Sequence, residues 1–292
     1  MKQPFVSIGV ATIPGREKYL TLCLKSIINQ KFHHDYEIIL ALHPDFHYNL
    51  PFDIPDNITI KTIESGKSIS SKRNDILKLA KGKYLLSIDD DAIAENHWIA
   101  KMINTAETNN LDIFWGAIKP IYERELPSRL YPYEMLIGGF HFDHNGNLRR
   151  KSLIGCNYGF KVGLSHSRGR FAETLGRGTR IRGGEEDLFF SEYLGSRSMF
   201  IKDAIVFHHI QQERVNFKYI IYNQCSNVKS TIYINKEIGK SNLIFGVDLV
   251  KNYLKSLIKP NTSCFIVFLA FSKLLVFCKV IIEELFALNG NK

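Results

Sequence analysis

Short apolar segments of strand type alternate with segments of helical periodicity along the first 120 residues, and this alternation limits the fold more than any other feature. Residues 6–10 and 36–42 are short runs of β-branched or apolar residues. Between them, residues 17–30 carry Leu20 and Leu24 at helical spacing. The three segments therefore predict a βαβ unit.

The alternation continues through the following residues. It predicts strands over residues 58–63, 84–88 and 113–118, and helices over residues 71–80 and 95–108. Strands that alternate with helices and are flanked by turn residues are typical of a doubly wound, mainly parallel α/β sheet with helices on both faces. Ligands of such sheets bind at the carboxyl ends of the strands.

The second half of the chain begins with a less regular segment. Residues 123–182 contain many glycines between short apolar pieces, which is typical of loops around a site. Beyond it, the pattern predicts a helix over residues 185–194, a strand over residues 199–207 and a helix over residues 217–234. The character of the chain changes again near Pro260.

Composition describes a globular chain with a basic surface. The 292 residues are 45% hydrophobic, enough for a sizeable core in one or two domains. The chain holds 38 basic and 29 acidic residues, and the net charge of +9 favours polyanionic partners such as phosphates or anionic lipid. No basic tail, zinc-finger spacing or aromatic RNA-binding signature stands out, so we expect no nucleic-acid partner.

Cysteine usage and the N-terminal segment bear on the compartment. The five cysteines are far apart and form no C-x-x-C pair, so they predict neither a disulfide framework nor a zinc site. They fit a reducing, cytoplasmic compartment. The apolar stretch over residues 5–11 is too short for a secretory signal and is followed by Pro14 and Gly15, so we interpret it as a first buried strand.

Three adjacent aspartates, Asp89, Asp90 and Asp91, follow the predicted buried strand directly. Like charges this close raise one another's pKa, and a hard divalent cation such as Mg²⁺ or Mn²⁺ is the natural compensating partner. Such a cation can also bridge a diphosphate. A solvated acidic turn that caps the next helix is the alternative explanation of these three residues taken alone.

Further motifs surround the aspartates in a definite order between residues 5 and 215. The set comprises residues 6–16, Leu20, Cys23, Leu24, Ser26, Ile27, Gln30, Arg73, Asn74, residues 80–82, the three aspartates, residues 155–157, residues 183–188 and residues 206–208. In this order they resemble the inverting glycosyltransferases of family 2, which have the nucleotide-sugar-binding GT-A fold. The resemblance implies transfer of a sugar, with inversion, from a nucleotide-diphosphate sugar to a hydroxyl of a glycan or glycolipid.

The resemblance also implies a division of the chain. Residues 1–235 would form the GT-A-like catalytic domain, with a nucleotide-sugar-binding half over about residues 1–120 and an acceptor half over about residues 121–235. Residues 236–292 would form a C-terminal helical extension.

The metal site is carried over from the same resemblance. Asp89 and Asp91 correspond to the ends of a metal-binding D-x-D motif for Mn²⁺ or Mg²⁺, with Asp91 as the direct ligand and Asp90 facing the ribose. His208 ends a predicted strand and would complete the metal or diphosphate site, with the neighbouring His209 as the alternative. A packed or hydrogen-bonded strand end is the structural interpretation of either histidine.

The resemblance also assigns the donor and acceptor sides. The implied donor-binding residues are Thr12, Pro14, Arg16, Arg73, Asp89 and Asp90. Gly155 and Asn157 resemble the acceptor-side strand of the family. One departure concerns the base: where the family commonly places an acidic residue after the second strand, this chain has Leu42 and His43, with Asp45 close behind. The resemblance favours a UDP-sugar as the donor, and this departure leaves two alternatives open: Asp45 takes the acidic role from a shifted loop, or the donor carries a different base.

An acidic group at Glu185, Glu186 and Asp187 precedes an apolar helical segment. By itself this is a favourable negative charge at a helix N-terminus. Displacement with inversion, however, requires a carboxylate that takes the proton from the acceptor hydroxyl. The resemblance to the family's acidic catalytic helix start implies Asp187 as this base, with Glu186 as the second candidate.

Two other functions are compatible with such a sheet. A nucleotidyltransferase that makes nucleotide sugars would share the metal and diphosphate chemistry, but it usually has a glycine-rich loop after the first strand, and residues 11–16 hold one glycine. A non-catalytic carbohydrate-binding relative of the fold would not need both acidic clusters.

The C-terminal segment over residues 264–288 is rich in Phe, Leu, Ile and Val. Its apolar content approaches that of a membrane span, but Lys273 and Lys279 would lie inside any span of about 20 residues. We therefore expect it to lie flat on the inner face of a membrane as a peripheral contact. Packing on the catalytic domain or pairing with a second subunit in a homo-oligomer is the alternative.

Overall fold

The computed structural model describes residues 3–138, 155–164, 170–179, 181–191, 196–259 and 262–289. Eight described strands form one sheet in the order β3-β2-β1-β4-β7-β6-β8-β5. The strands are β1 (Val6–Ala11), β2 (Tyr36–Leu42), β3 (Ile58–Glu64), β4 (Tyr84–Ile88), β5 (Ala92–Ala94), β6 (Ile113–Tyr122), β7 (Asn157–Lys161) and β8 (Ser198–Ile210).

Most of the strand pairs are parallel. β1 pairs with β2 and β4, and β2 pairs with β3, all in parallel. β6 and β8 are also parallel, whereas β7 runs antiparallel between β4 and β6, and β5 runs antiparallel to β8 at the edge. The prediction of a mainly parallel α/β sheet is confirmed.

Helices cover both faces of this sheet. The helices α1 (Glu17–Ile28) and α3 (Trp98–Thr108) pack on one face, and α2 (Ile69–Leu79) and α4 (Glu185–Ser191) pack on the other. Strand β2 is buried along its whole length because its side chains alternate between the two cores: Ile38 belongs to the first and Ile39 to the second. Continuous apolar runs are typical of strands buried on both sides.

The irregular region contains a central strand that periodicity alone does not predict. β7 holds Gly159, at which a Cβ would collide with Leu86 and Phe114 from the neighbouring strands. The interpretation of this glycine as part of a loop is therefore wrong, because the glycine allows close packing inside the sheet. The short strand β5 was likewise not predicted.

Helix boundaries also differ from the predicted ones. α3 begins at Trp98 and not at residue 95, since the Trp98 N–H closes a turn onto the carbonyl of Glu95 at 3.0 Å. α4 is described up to Ser191, and the predicted continuation over residues 192–194 lies outside the described residues.

Three further helices complete the chain: α5 (Phe217–Glu237), α6 (Asn242–Ile258) and α7 (Cys264–Asn289). Leu269 of α7 is buried against α5 and against the 3-10 helix Ser128–Ile137, which joins the C-terminal helices to the rest of the protein. A second cluster joins α5, α6 and α7 around Val228 and Leu249. The predicted domain boundary at residue 235 falls near the end of α5 and stays a prediction.

Candidate active site

A cavity of about 930 Å³ lies at the carboxyl ends of β1 and β4. β7 runs antiparallel to β4, so the residues before it, Gly155 and Cys156, reach the same edge of the sheet. α5 and the 3-10 helix Ser128–Ile137 contribute the opposite wall. The cavity therefore occupies the edge at which ligands of parallel sheets bind.

The turn after β1 contributes the predicted donor-binding residues. Thr12, Pro14 and Arg16 all line the cavity. The Thr12 hydroxyl donates to Asp90 Oδ2 at 2.7 Å, and Arg16 Nη1 lies 3.0 Å from Asp90 Oδ1. Burial raises the pKa of Asp90 to about 7, although the Arg16 charge acts in the opposite direction. Asp90 thus ties the β1 turn to the end of β4.

Asp91 is the most enclosed of the three aspartates, with 1% of its side chain exposed. Arg16 Nη1 lies 2.6 Å from its Oδ2, Arg214 Nη2 lies 3.2 Å from the same oxygen, and Gln211 donates to it at 2.8 Å. His208 Nε2 lies 3.3 Å from Oδ1. Burial opposes ionisation, but the hydrogen bond from His208 and the two guanidinium charges hold the pKa of Asp91 well below its usual range.

The residues predicted to bind metal lie together at this end of the cavity. Ligand atoms of Asp89, Cys156 and His208 lie within 4.8 Å of one another, and Asp91 contacts His208 directly. Nδ1 of His208 is buried without a hydrogen-bond partner in the described part of the chain. The carboxylate and imidazole donors fit a divalent ion of the Mn²⁺ class.

Of the two adjacent histidines, His208 lines the cavity. His209 lies on the other side of β8, because neighbouring side chains of a strand alternate, and its ring packs against Tyr19 with centroids 5.3 Å apart. The geometry therefore favours His208 over His209 for any contact with a ligand. Its role as a metal ligand stays a prediction.

Arg73 connects the aspartates to the acidic helix start. Its Nη1 lies 2.6 Å from Glu186 Oε1, and its Nη2 lies 3.8 Å from Asp89 Oδ1. A Cβ at Gly155 would displace the ends of the Glu186 and Arg73 side chains, so the glycine lets this ion pair lie directly against the backbone before β7. The side chain of Asp187, the predicted base, lies outside the described residues.

Asn157 has a different position from the one that its predicted acceptor-side role requires. Its side chain is 1% exposed and does not line the cavity. Its amide donates to the carbonyls of Ala117 and Ala204 at 2.8 and 3.0 Å, and its Oδ1 accepts from Trp98 Nε1 at 2.8 Å. Asn157 therefore joins the strands beneath the site, and Gly155 and Cys156 are the residues of this segment that reach the cavity.

The segment after β2, where the family commonly has an acidic residue, contributes a histidine to the cavity. His43 lines the cavity, whereas Asp45 does not. Nδ1 of His43 accepts a hydrogen bond from the Asp45 N–H at 3.2 Å. Asp45 therefore orients the histidine and does not itself take the place of the missing acidic residue.

Several cavity residues were not identified from the sequence. They are Cys156 as a potential metal ligand and the basic residues Arg177, Arg182 and Arg214. Arg177 and Arg182 stand in an irregular segment with Arg180 between them, and Arg214 ends a short 3-10 helix; basic residues in such segments are ordinarily solvated. Only their shared position around the cavity makes them notable.

Comparison with known proteins identifies the family. The sequence profile described as Glycosyl transferase family 2 matches residues 7–167, more than half of the chain. The chain belongs to glycosyltransferase family 2. The matched region includes β1 to β4, the three aspartates and β7, and thus the metal-capable end of the cavity except for His208.

Two family relatives have assigned activities. The chain is 30% identical over 132 residues to a poly(ribitol-phosphate) beta-glucosyltransferase from Bacillus spizizenii, covering 42% of this chain and 20% of that protein. It is 24% identical over 222 residues to a glucosyl-dolichyl phosphate glucuronosyltransferase from Haloferax volcanii, covering 68% of this chain and 70% of that protein. The chain thus spans a fifth of the length of the first relative.

The fold is similar to that of S. aureus TarS. The crystal structure of TarS 1-349 in complex with UDP matches with a TM-score of 0.52 at 15% identity, covering 93% of this chain and 88% of that chain. The complex with UDP-GlcNAc matches with the same TM-score at 14% identity, covering 93% and 89%. At this identity the similarity establishes the GT-A-like fold.

Proposed function

We propose that this protein transfers a sugar from a nucleotide-diphosphate sugar to an acceptor hydroxyl with inversion, assisted by a divalent cation. The observation that carries the proposal is the distribution of carboxylates in one cavity. Asp89 and Asp91 lie with His208, and Glu186 lies close to them, because the Arg73 guanidinium contacts both Asp89 and Glu186. Family membership and both relatives support the same class of reaction.

In the proposed reaction, Asp89, Asp91 and His208 would hold Mn²⁺ or Mg²⁺, which would supply positive charge for the departing diphosphate. Arg16 and Arg214 meet at Asp91 and supply positive charge beside the same group. Asp187, with Glu186 as the alternative, removes the proton from the acceptor hydroxyl, whose oxygen attacks the anomeric carbon on the face opposite the diphosphate.

A UDP-sugar is the proposed donor. UDP and UDP-GlcNAc are bound in the two TarS structures of similar fold. In this chain the imidazole of His43 lines the cavity just after β2, and an imidazole can hydrogen-bond to a uracil carbonyl or to its N–H.

A donor assay tests the proposed function. UDP-, GDP-, CDP- and dTDP-sugars are incubated with the protein and Mn²⁺, and release of the nucleotide diphosphate is followed. We expect slow hydrolysis of one UDP-sugar, with water as the acceptor. Release of pyrophosphate from a nucleoside triphosphate and a sugar phosphate would instead identify a nucleotidyltransferase. Binding without turnover for every donor would identify a non-catalytic relative.

The C-terminal helices support a peripheral position on the cytoplasmic face of a membrane. α7 contains the one helix segment in the described chain, Cys264–Glu283, that is long and apolar enough to cross a membrane, with mean hydropathy 2.5. Phe268, Phe271 and Leu275 are exposed on α7 and follow one another at spacings of three and four residues. They form one apolar stripe along the helix.

The preceding helix α6 exposes a second stripe. Its members, also spaced three or four residues apart, are Leu243, Val247, Val250, Leu254 and Leu257. Exposed Lys251 and Lys255 flank this stripe, and basic residues near an anionic leaflet contribute about 1 kcal/mol each. Lys273 is not free to face lipid, since its Nζ lies 3.3 Å from Gln224 Oε1 on α5. We propose that α6 and α7 lie flat in the interface together.

Flotation with anionic vesicles tests this position. The full-length protein is expected to float with the vesicles and to be released by high salt in part, because the lysine contribution is screened. A double variant, Leu254→Glu with Leu275→Glu, is expected to reduce vesicle partitioning at least about 100-fold. Each leucine that is buried in the membrane contributes about 1.5–3 kcal/mol to the free energy of partitioning. Asn252→Glu adds a charge on α6 outside the stripe and is the control. Equal partitioning of all three proteins, or a stable dimer without lipid affinity, would contradict the proposal.

A further inference from the structure

The cavity carries more positive charge than the proposed donor requires. Seven basic side chains and four carboxylates line its described part, which leaves three positive charges in excess. The basic residues are Arg16, Lys67, Lys72, Arg73, Arg177, Arg182 and Arg214. A divalent cation and the roughly two negative charges of a nucleotide-diphosphate sugar offset one another. Among the described side chains the excess therefore remains in the donor complex, and the Asp187 carboxylate, the proposed base, would reduce it by one charge.

Four of the seven basic residues already have partners. Arg16 and Arg214 pair with Asp91, and Arg73 pairs with Glu186. Lys72 donates to the carbonyls of Gly66 and Lys67 at 2.8 and 3.0 Å and so closes its own loop. Lys67, Arg177 and Arg182 have no carboxylate within ion-pair distance among the residues that the structure describes. The excess charge is thus located on these three.

Backbone contacts hold Lys67 and Arg177 on one side of the cavity. The Ile69 N–H donates to the Arg177 carbonyl at 3.0 Å. Gly178, with φ +87°, lies against the backbone of Lys67, and a Cβ there would come within 3.0 Å of the Lys67 carbonyl oxygen. The two loops are therefore packed together, and both Lys67 and Arg177 are exposed to solvent at the cavity.

Arg182 is placed beside the acidic helix start. Its Cζ lies 5.5 Å from the ring centroid of Tyr222, which is 54% exposed on α5. Gly183 and Gly184 both have positive φ, and a Cβ on Gly184 would lie 2.8 Å from Ser230 on α5. This tight turn between Arg182 and Glu186 brings both side chains to the cavity, so the Arg182 guanidinium, which pairs with no described carboxylate, lines it together with Glu186.

We propose that Lys67, Arg177 and Arg182 bind an anionic group of the acceptor, most simply a phosphate next to the hydroxyl that receives the sugar. This inference rests on the proposed glycosyl transfer and names its substrate class. Guanidinium groups bind phosphate oxygens through paired N–H donors. A solvent-accessible group of such side chains therefore favours an anionic acceptor over a neutral one. A neutral acceptor would offer no charge to these three side chains, none of which forms an ion pair with a carboxylate that the structure describes.

The test compares glycerol 3-phosphate with glycerol by ligand-observed NMR titration, with and without UDP and Mn²⁺. We expect glycerol 3-phosphate to bind at least about tenfold more tightly than glycerol. Arg182→Gln and Lys67→Gln are each expected to lower the affinity for glycerol 3-phosphate about five- to tenfold. The affinity for UDP is expected to change less than twofold. Arg129→Gln removes an exposed charge outside the cavity and is the matched control, and thermal unfolding checks that each variant is folded.

Three results would overturn the proposal. The first is equal binding of glycerol and glycerol 3-phosphate, and the second is an Arg182→Gln protein that behaves like Arg129→Gln. The third concerns the source of the anion. If Arg182→Gln lowers the affinity for UDP-glucuronic acid relative to UDP-glucose but leaves the affinity for glycerol 3-phosphate unchanged, the Arg182 charge recognises the donor sugar and not the acceptor. If the protein does not bind UDP but still binds glycerol 3-phosphate in a way that depends on Arg182, the proposed function is wrong and the anion-binding site is retained.

Discussion

Asparagine in place of Asp187 is expected to leave donor binding intact while lowering the transfer rate about 10²–10⁴-fold, the usual contribution of a general base. The amide keeps the size of the side chain but cannot accept the proton of the acceptor hydroxyl. Calorimetry with the UDP-sugar gives the donor Kd, and release of UDP in the presence of acceptor gives kcat. A change confined to kcat separates proton transfer from binding.

Glu186→Gln is the matched variant for this experiment. Glu186 is paired with Arg73 at 2.6 Å, so its replacement is expected to disturb Arg73 and Asp89 and to alter donor binding as well as rate. If Glu186→Gln alone loses transfer with unchanged donor affinity, the base is Glu186. If neither change matters, the acidic group serves only the N-terminus of α4.

Removal of the metal is expected to abolish transfer. Stabilisation of the leaving diphosphate by a bound cation contributes several kcal/mol, and about 4 kcal/mol corresponds to about a 10³-fold change in rate. Excess chelator should therefore suppress activity by this factor, with recovery on adding Mn²⁺. Asp91→Ala should be equally inactive.

Asp91→Ala needs a second variant, because it also removes the partner of Arg16 and Arg214. Breaking a buried ion pair from one side costs about 3–5 kcal/mol of folding free energy, so inactivity alone is ambiguous. The side chain of Asp89 is 29% exposed, and its Oδ1 lies 3.8 Å from Arg73 Nη2. Asp89→Asn is therefore expected to keep the fold and to lower the affinity for Mn²⁺ at least about tenfold. Asp203→Asn, an exposed change on β8, is the control. Full turnover in excess chelator would refute metal dependence.

The alternation of apolar runs was enough to predict β1 to β4 and the helices between them. β1, β2 and β4 are runs of mostly apolar residues, β3 alternates apolar and polar residues, and each helix shows its own period. β7 was recognised only through the resemblance at Gly155 to Asn157. Its signal is weak because a glycine replaces an apolar side chain in the middle of the strand, where Leu86 and Phe114 fill the space.

The carboxylates of the candidate site were also visible in the sequence. Adjacent carboxylates at the end of a buried strand cost free energy unless a positive charge compensates them, and both acidic groups are recognised from neighbouring residues in the chain. Asn157 was predicted on the acceptor side of the site, whereas the structure buries it beneath the cavity. Residue type alone does not distinguish a buried amide side chain from an exposed one. Its three hydrogen-bond partners come from residues 40 to 59 positions away along the chain.

The sequence alone therefore determined the alternating α/β architecture, the family and the two acidic clusters, since each depends on neighbours in the chain. Tertiary structure decided which charges form ion pairs among the described residues. Arg214 pairs with Asp91 across 123 residues, whereas Arg177 and Arg182 reach the same cavity and pair with no described carboxylate. Coulomb interactions depend on distance in space and on burial, and neither can be obtained from residue order.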